Sequence, residues 1–271
     1  MNCYCGLTDL KQRIGEIGTT RDADLMLCLD AASRAIDDFC GRVFWTASGA
    51  RVFTPLACEW ANVDDCLSVS SLKSDEDGDG IPEAEWTQGR DGDFFLSPVS
   101  GFPKTVLLRA VNASRSFVAG LMNSIEATGV WGYGDGRRAA PWDALGVTLT
   151  VATAGGTTAT VSAAGGIQAG NTLLVGTEQI HVSAISGTTL TIERGANDTT
   201  AAAHSAEAVN RAAYPGRIAH ACSLLAGQFF RDLDANGLSR EMMGDYNYGK
   251  LSPDDRMKQF EQMLGNLRRM A

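Results

Sequence analysis

The feature that most constrains the fold is a change of composition in the second half of the chain. Residues 143–213 contain no Phe, Trp, Tyr, Lys or Cys and are rich in Thr, Ala, Gly and Val. Apolar residues alternate with polar ones, as at Val147, Leu149 and Val151, which is the period of a β-strand. About five or six such runs are separated by glycine-containing turns. The pattern predicts a small β-barrel or sandwich with an aliphatic core.

The sequences on both sides of this segment predict helices. Between residues 22 and 40 apolar residues recur at spacings of three and four, and Gly41 follows where a left-handed C-cap residue is expected. A second apolar stripe begins after Pro215. Pro253 opens a last helix, with acidic residues in its first turn and arginines at its end.

Short apolar runs between residues 52 and 130, broken by Gly, Asp, Asn and Pro, predict a small antiparallel sheet. We therefore expect an α+β fold in which the N- and C-terminal helices form a bundle beside this sheet. The predicted host domain comprises residues 1–142 and 214–271. Residues 143–213 are predicted to be an all-β domain inserted at a surface loop whose ends lie close together.

Charge and cysteine content narrow the class of protein. The net charge of −9 argues against a protein that grips phosphate backbones, which requires clustered Lys and Arg. Seven cysteines, several at apolar positions, indicate reduced thiols and folding in the cytoplasm. Cys3 and Cys5 lack the spacing of a zinc or redox motif, and we expect an untethered N-terminus. Neither a signal peptide nor a membrane-spanning run is found in the sequence.

The sequence contains none of the common catalytic motifs. It has no G-x-S-x-G elbow, no P-loop and no Rossmann glycine pattern. The three histidines, His181, His204 and His220, show no paired spacing. We therefore predict that the protein is not an enzyme and has no catalytic residue.

One acidic segment has the pattern of a calcium loop. Asp at alternate positions followed by Gly80 matches the first half of such a loop, whose oxygen ligands curl round one ion. The twelfth position is Trp86, where an EF-hand needs a bidentate Glu, so another acid would have to substitute. The alternative is an acidic β-turn. The candidate calcium ligands are Asp75, Asp77, Asp79, Glu83 and Glu85.

Two sets of residues are candidates for partner contacts. Trp131 and Tyr133, on a glycine-flanked turn, are predicted either to anchor an interface or to close the core of the host. The last helix is predicted either to complete the helical bundle or to dock into a groove of a partner, and we favour docking. Its candidate contact residues are Met257, Phe260, Met263, Leu264, Leu267, Arg268 and Arg269.

Taken together, three passages resemble the head-to-tail connector (adaptor) proteins of tailed bacteriophages. They are residues 22–44, which end in Cys-Gly-Arg-Val-Phe, the Gly-Val-Trp-Gly-Tyr-Gly turn at residues 129–134, and the helix after Pro215. The inserted segment separately resembles small β modules of phage structural proteins, through residues 175–180 and 192–195 followed by His204.

The resemblance implies a structural virion protein at the neck of a phage or phage-like particle. Such a protein forms a homo-oligomeric ring of about twelve copies between the portal and a stopper or tail-terminator protein, through head-to-tail interfaces that close. DNA passes through the ring during genome ejection, and the acidic charge of this chain suits a lumen that does not bind phosphates. No membrane is involved. We expect the inserted domain to lie on the outside of the ring.

A function of another class is also consistent with the sequence. The acidic segment at residues 75–85, or the inserted β domain, would then belong to a calcium-dependent β-module protein that binds surface carbohydrate. Glycan binding by the β domain would favour this alternative, and copurification with portal protein would favour the adaptor.

Overall fold

Contacts between Cα atoms divide the chain into two units. Met1–Arg42 with Trp142–Ala271 form the helix–barrel unit, and Val43–Pro141 forms the sheet unit. The computed structural model describes residues 2–151, 153–234, 240–243, 246–249 and 253–269. The α+β class expected from the sequence is confirmed. These units differ from the predicted domains. Residues 143–213 belong to the same unit as the helices, and the sheet forms a unit of its own.

The helices of the helix–barrel unit form where the apolar spacing predicts them. The helix Asp22–Cys40 (α2) is followed by the C-cap residue Gly41, which has a φ of 62° and whose N–H donates to the Asp37 carbonyl. Helix α2 packs on α3, where the Cys222 Sγ lies 3.4 Å from the Ser33 Oγ in the buried interface. The helices are α1 (Leu7–Ile14), α2 (Asp22–Cys40), α3 (Gly216–Asp234) and α4 (Pro253–Leu264), followed by a 3-10 turn at Gly265–Leu267.

The sheet unit is an antiparallel sheet with the strand order β1-β6-β2-β5-β4, and β3 pairs with β2. Its core contains Phe94, Leu107 and Ile125, and the rings of Trp86 and Phe117 stack at 4.4 Å between centroids. The strands are β1 (Ala47–Phe53), β2 (Trp60–Ser74), β3 (Ala84–Trp86), β4 (Phe94–Ser97), β5 (Lys104–Arg109) and β6 (Ile125–Trp131).

Six antiparallel strands of the helix–barrel unit close on one another in the order β10-β11-β8-β7-β12-β9. Aliphatic side chains such as Leu149, Leu173 and Ile180 fill the interior. Trp142 pairs with Ala212, so the two ends of this segment lie side by side. The strands are β7 (Trp142–Val151), β8 (Thr158–Val161), β9 (Thr172–Val175), β10 (Glu178–Ser186), β11 (Thr189–Ala196) and β12 (His204–Ala212). A separate hairpin pairs β13 (Arg240–Met243) with β14 (Tyr246–Gly249).

The expectation of an untethered N-terminus is wrong. Cys3 and Tyr4 are each 1% exposed, and the Tyr4 hydroxyl donates to Asp37 on α2. On the barrel side, the Asn2 carboxamide oxygen accepts a hydrogen bond from the Thr172 hydroxyl at 3.1 Å. The N–H of Leu7 donates to the Ala169 carbonyl at 2.9 Å. These hydrogen bonds give polar groups of the segment partners within the chain, which allows it to be buried between α2 and the barrel.

A glycine fixes the turn that follows β6. Gly132 has a φ of +121°, a backbone conformation that residues with a side chain rarely adopt. Its N–H donates to the Asp65 carbonyl at 2.7 Å. A Cβ added at Gly132 would lie 2.1 Å from the carbonyl oxygen of Trp45, which is backbone and cannot rotate away. Only glycine therefore allows the turn after β6 to contact the chain that enters β1.

We expect the substitution Gly132→Ala to lower the free energy of unfolding of the sheet unit by about 2–4 kcal/mol, because it adds both backbone strain and overlap. Urea unfolding followed by tryptophan fluorescence measures the change. Gly49→Ala is the matched control, since a Cβ at Gly49 in β1 meets no atom within 4 Å. An equal loss in the two variants would contradict the prediction.

Candidate functional site

The end of one passage that carries the connector resemblance contacts a second such passage within the sheet unit. The N–H of Tyr133 donates to the Val43 carbonyl at 3.0 Å, and the rings of Phe44 and Tyr133 lie 5.2 Å apart. Phe44 is fully buried. The end of the Cys-Gly-Arg-Val-Phe passage and the Trp-Gly-Tyr-Gly turn thus form one packed junction, which we call the motif junction (residues 43–45 and 131–134).

Trp131 occupies the core of the sheet unit. It is 1% exposed, and its indole Nε1 donates to the Gly49 carbonyl at 2.8 Å. The Arg51 guanidinium covers its ring at 5.0 Å, and Tyr133 is half-buried. Of the two alternatives given for Trp131, this placement fits closure of the core. It offers almost no surface to an interface.

The C-terminal residues turn back onto the helices of their own unit. Leu264 at the end of α4 is fully buried, and Met263 and Leu267 are half-buried. The N–H of Arg269 donates to the Cys40 carbonyl at 2.7 Å, and the Arg268 guanidinium lies 5.7 Å from the centre of the Phe39 ring. These contacts join the chain that follows α4 to the C-terminal end of α2. The side chains of Met257 and Phe260 lie outside the described residues, so docking by them stays a prediction.

The acidic segment folds into a compact loop between β2 and β3, which we call the acidic loop (residues 75–83). Asp75, Asp77, Asp79 and Glu83 each offer a carboxylate oxygen, and these four oxygens lie within 4.8 Å of one another. Such a separation fits ligands around one calcium ion, whose oxygen ligands stand at about 2.3–2.6 Å. Glu85 is not part of the cluster, because it lies on β3 with an oxygen 3.8 Å from the Lys73 ammonium.

Backbone donors hold Asp75 at the base of the acidic loop. Its two carboxylate oxygens accept the N–H groups of Gly78 at 2.7 Å and Gly80 at 2.9 Å. Burial raises the pKa of Asp75, but these N–H groups and Asp77 outweigh burial, so that its pKa is lowered. The carboxylate is therefore charged at neutral pH.

Trp86, at the twelfth loop position, is 5% exposed and donates from Nε1 to the Ser74 hydroxyl.

We expect the full chain to bind one calcium ion with a Kd of about 10⁻⁵–10⁻³ M, because four carboxylates converge without a fifth, bidentate acid. Calorimetric titration measures the binding. The double variant Asp77→Ala, Asp79→Ala should bind no calcium, whereas Glu85→Gln should bind it as the wild type does. Flat traces for the wild type would show that the acidic loop is an ordinary turn.

Residues from the passages that resemble phage β modules form a buried ion network, which the sequence did not single out as a site. The Arg194 guanidinium donates to both Glu178 oxygens at 2.7 and 2.6 Å. The backbone N–H groups of Gly195 and Ala202 each donate to Glu178 at 3.0 Å, and His204 Nε2 lies 2.8 Å from it. Glu178 is 0% exposed. The resemblance to phage β modules was the signal that could have identified this network. The residues that carry it, 175–180, 192–195 and 204, include Glu178, Arg194 and His204.

The network ties the loop between β11 and β12 to the start of β10. Burial raises the pKa of Glu178, but Arg194, the two backbone N–H groups and His204 together lower it to about 2. The charged Glu178 carboxylate on β10 contacts both β11 and the segment that enters β12, so it joins three segments of the chain. On the outer side, His204 Nδ1 lies 3.1 Å from the half-exposed carboxylate of Glu207. The side chains of Glu178 and Arg194 are 1% and 8% exposed, so the contacts of the network lie within the chain.

We expect Glu178→Gln to lower the free energy of unfolding of the helix–barrel unit by about 3 kcal/mol at pH 7, since it leaves Arg194 buried beside a neutral group. Because the folded pKa lies below the ordinary value of 4.5, the stabilisation is complete above about pH 4.5 and is lost as the pH falls towards 2. Urea unfolding followed by far-UV circular dichroism at several pH values measures both effects.

Glu207→Gln is the matched control for this prediction. Its carboxylate contacts the same histidine but is 42% exposed, so we expect a loss below about 1 kcal/mol. Equal losses in the two variants, or a loss for Glu178→Gln that does not shrink in acid, would contradict a central role for the Glu178 carboxylate.

The three histidines do not come together. His181 is fully buried, neither of its ring nitrogens has a hydrogen-bond partner among the described residues, and burial lowers its pKa to about 4. His220 Nδ1 lies 2.8 Å from the Arg13 guanidinium at the surface. Their arrangement does not form a shared site in the described part of the chain.

Comparison with protein-family models gave no match. Comparisons with curated proteins and with solved structures also gave none. Among the residues that the structure describes, no helix has the length and apolar character needed to cross a membrane.

Proposed function

We propose that the chain is a structural head-to-tail adaptor of a tailed phage or phage-like particle. In this proposal about twelve copies form a closed ring at the virion neck, between the portal and a stopper or tail-terminator protein. The ring surrounds the channel through which DNA leaves. The protein acts as a joint and not as an enzyme.

The observation that supports this proposal best is the packing of the motifs that carry the resemblance. In the sheet unit, Val43 and Phe44 contact the turn that contains Tyr133. In the helix–barrel unit, α2 packs on α3 through the buried pair Ser33 and Cys222. Each motif is thus used in a fold-determining contact, as expected if the three passages belong to one family fold.

The helices and the barrel each have a role in the proposed adaptor. The N- and C-terminal helices are the bundle of the adaptor, and α4 completes that bundle through Leu264. The closed barrel of β7–β12 is the inserted module, which decorates the outside of the ring. The net charge of −9 supports a channel wall to which DNA does not adhere, because low basic density keeps the affinity for phosphates small.

A second candidate is a calcium-dependent carbohydrate-binding protein. The observation that favours it is the acidic loop, whose four clustered carboxylates could hold an ion that binds sugar hydroxyls. A glycan array probed with the full chain, once with calcium and once with a chelator, tests this function. Calcium-dependent binding to a defined glycan would support it.

We expect a gold-labelled antibody against this chain to mark the junction of head and tail on purified particles in electron micrographs. The full-length protein should also copurify with the portal protein of the same particle, because an adaptor binds the portal directly. A portal variant that lacks its tail-facing segment provides the control. Label spread over the capsid or along the tail, or absence of the protein from particles, would contradict the adaptor function.

A further inference from the structure

Most of the exposed large apolar side chains of the described residues belong to the sheet unit. Three of them lie on two loops at one end of the sheet: Leu56 is 63% exposed, Val118 is 40% exposed and Met122 is 79% exposed. Scattered apolar residues on a surface are ordinary, but an adjacent group bordered by charge is typical of an interaction site.

Hydrogen bonds hold the two loops against each other. The N–H of Gly120 donates to the Pro55 carbonyl at 2.9 Å, and the N–H of Asn123 donates to the Thr54 hydroxyl at 3.0 Å. The N–H of Phe117 donates to the Cys58 carbonyl at 3.1 Å, and the Phe117 side chain is buried in the core. The apolar side chains are therefore presented from a preformed surface, which reduces the entropy lost when a partner binds.

The acidic loop borders the same surface. The N–H of Asp75 donates to the Ser124 carbonyl at 2.8 Å, directly after the loop that carries Met122. A Cβ at Gly78 would stand 4.0 Å from a methyl group of Leu121. The acidic loop also contributes an apolar side chain of its own, since Ile81 is 63% exposed.

The charge of this border is strongly negative. Glu76 is paired with Arg115 at 2.8 Å, whereas the four clustered carboxylates of the acidic loop keep their negative charge when no calcium is bound. Asp77, Asp79 and Glu83 are exposed. A partner that covers the apolar residues must bring its own charges close to these carboxylates, so cationic side chains are favoured and anionic ones are repelled. An anionic lipid surface is disfavoured for the same reason.

We propose that Leu56, Ile81, Val118 and Met122, together with the acidic loop, form a docking surface for an amphipathic protein segment with Lys or Arg beside apolar residues. The surface is defined by the contacts above. Its role as the face that binds the portal or tail partner rests on the proposed function. The oligomeric state of the chain in solution distinguishes this occupant from a second copy of the chain.

The probe for this surface is a fluorescent peptide of about 18 residues that forms an amphipathic helix of Leu and Lys. Anisotropy titration with the full chain measures its binding. A Leu/Glu peptide tests the charge, and a Ser/Lys peptide tests the apolar contribution. We expect the Leu/Lys peptide to bind at least about tenfold more tightly than either of the others.

Matched variants locate the binding site of the peptide. Leu56→Ser with Met122→Ser should weaken binding about tenfold, whereas Leu27→Ser, on α2 and 64% exposed, should change it less than about twofold. Asp77→Asn with Asp79→Asn should weaken binding about fivefold at low salt, and Asp91→Asn with Asp198→Asn should not. All substituted residues are exposed, and circular dichroism checks that each variant is folded.

Equal effects of surface and control variants would overturn the proposal, as would equal binding of the Leu/Glu peptide. Sedimentation of the wild type as an oligomer that dissociates in the Leu56→Ser, Met122→Ser variant would instead assign the surface to a second copy. The outcome is separable from that for the adaptor function. Label at the particle neck without peptide binding would remove this surface only, and peptide binding without neck label would remove the adaptor only.

Discussion

The sheet unit depends on the close approach of two backbone segments at the motif junction. Gly132 can contact the Trp45 carbonyl only because it has no Cβ, and Tyr133 then donates to Val43 across the same gap. The contact joins the chain that enters the edge strand β1 to the end of the central strand β6, which pairs with both β1 and β2. The long residue separation of this contact makes it a constraint on topology and not only on a turn.

In the helix–barrel unit, the apolar core of the barrel consists of aliphatic side chains. Its interior buries residues such as Leu173 and Ile180, which are smaller than aromatic ones. The Glu178 carboxylate adds a polar centre that holds three segments in one geometry. Removing one partner of a buried ion pair is costly because the other charge stays buried, whereas replacing the whole pair by apolar residues is often neutral. The network is therefore better understood as fixing the loop between β11 and β12 than as a gain in stability over an apolar core.

Sequence periodicity predicted the elements that depend on local residues. The stripe between residues 22 and 40 gave the bounds of α2 and its Gly41 cap, because helix periodicity and capping are local properties. The burial of Tyr4 could not be predicted, since its partner Asp37 comes from a distant part of the chain. Glu85 was included among the calcium ligands, but strand pairing places it opposite Lys73. Register between strands is set by tertiary contacts that spacing alone does not specify.

The residues on which the two resemblances depend are therefore different from those that are available to a partner. Phe44, Trp131, Glu178 and His204 carry the two resemblances, and all four are buried in contacts that determine the fold. Buried motifs of this kind report architecture, because their side chains are constrained by neighbours within the chain. Exposed side chains such as Met122, which is 79% exposed, have few neighbours within the chain to constrain them. The specificity of the proposed adaptor for its partner would therefore reside in surface residues that no motif identifies.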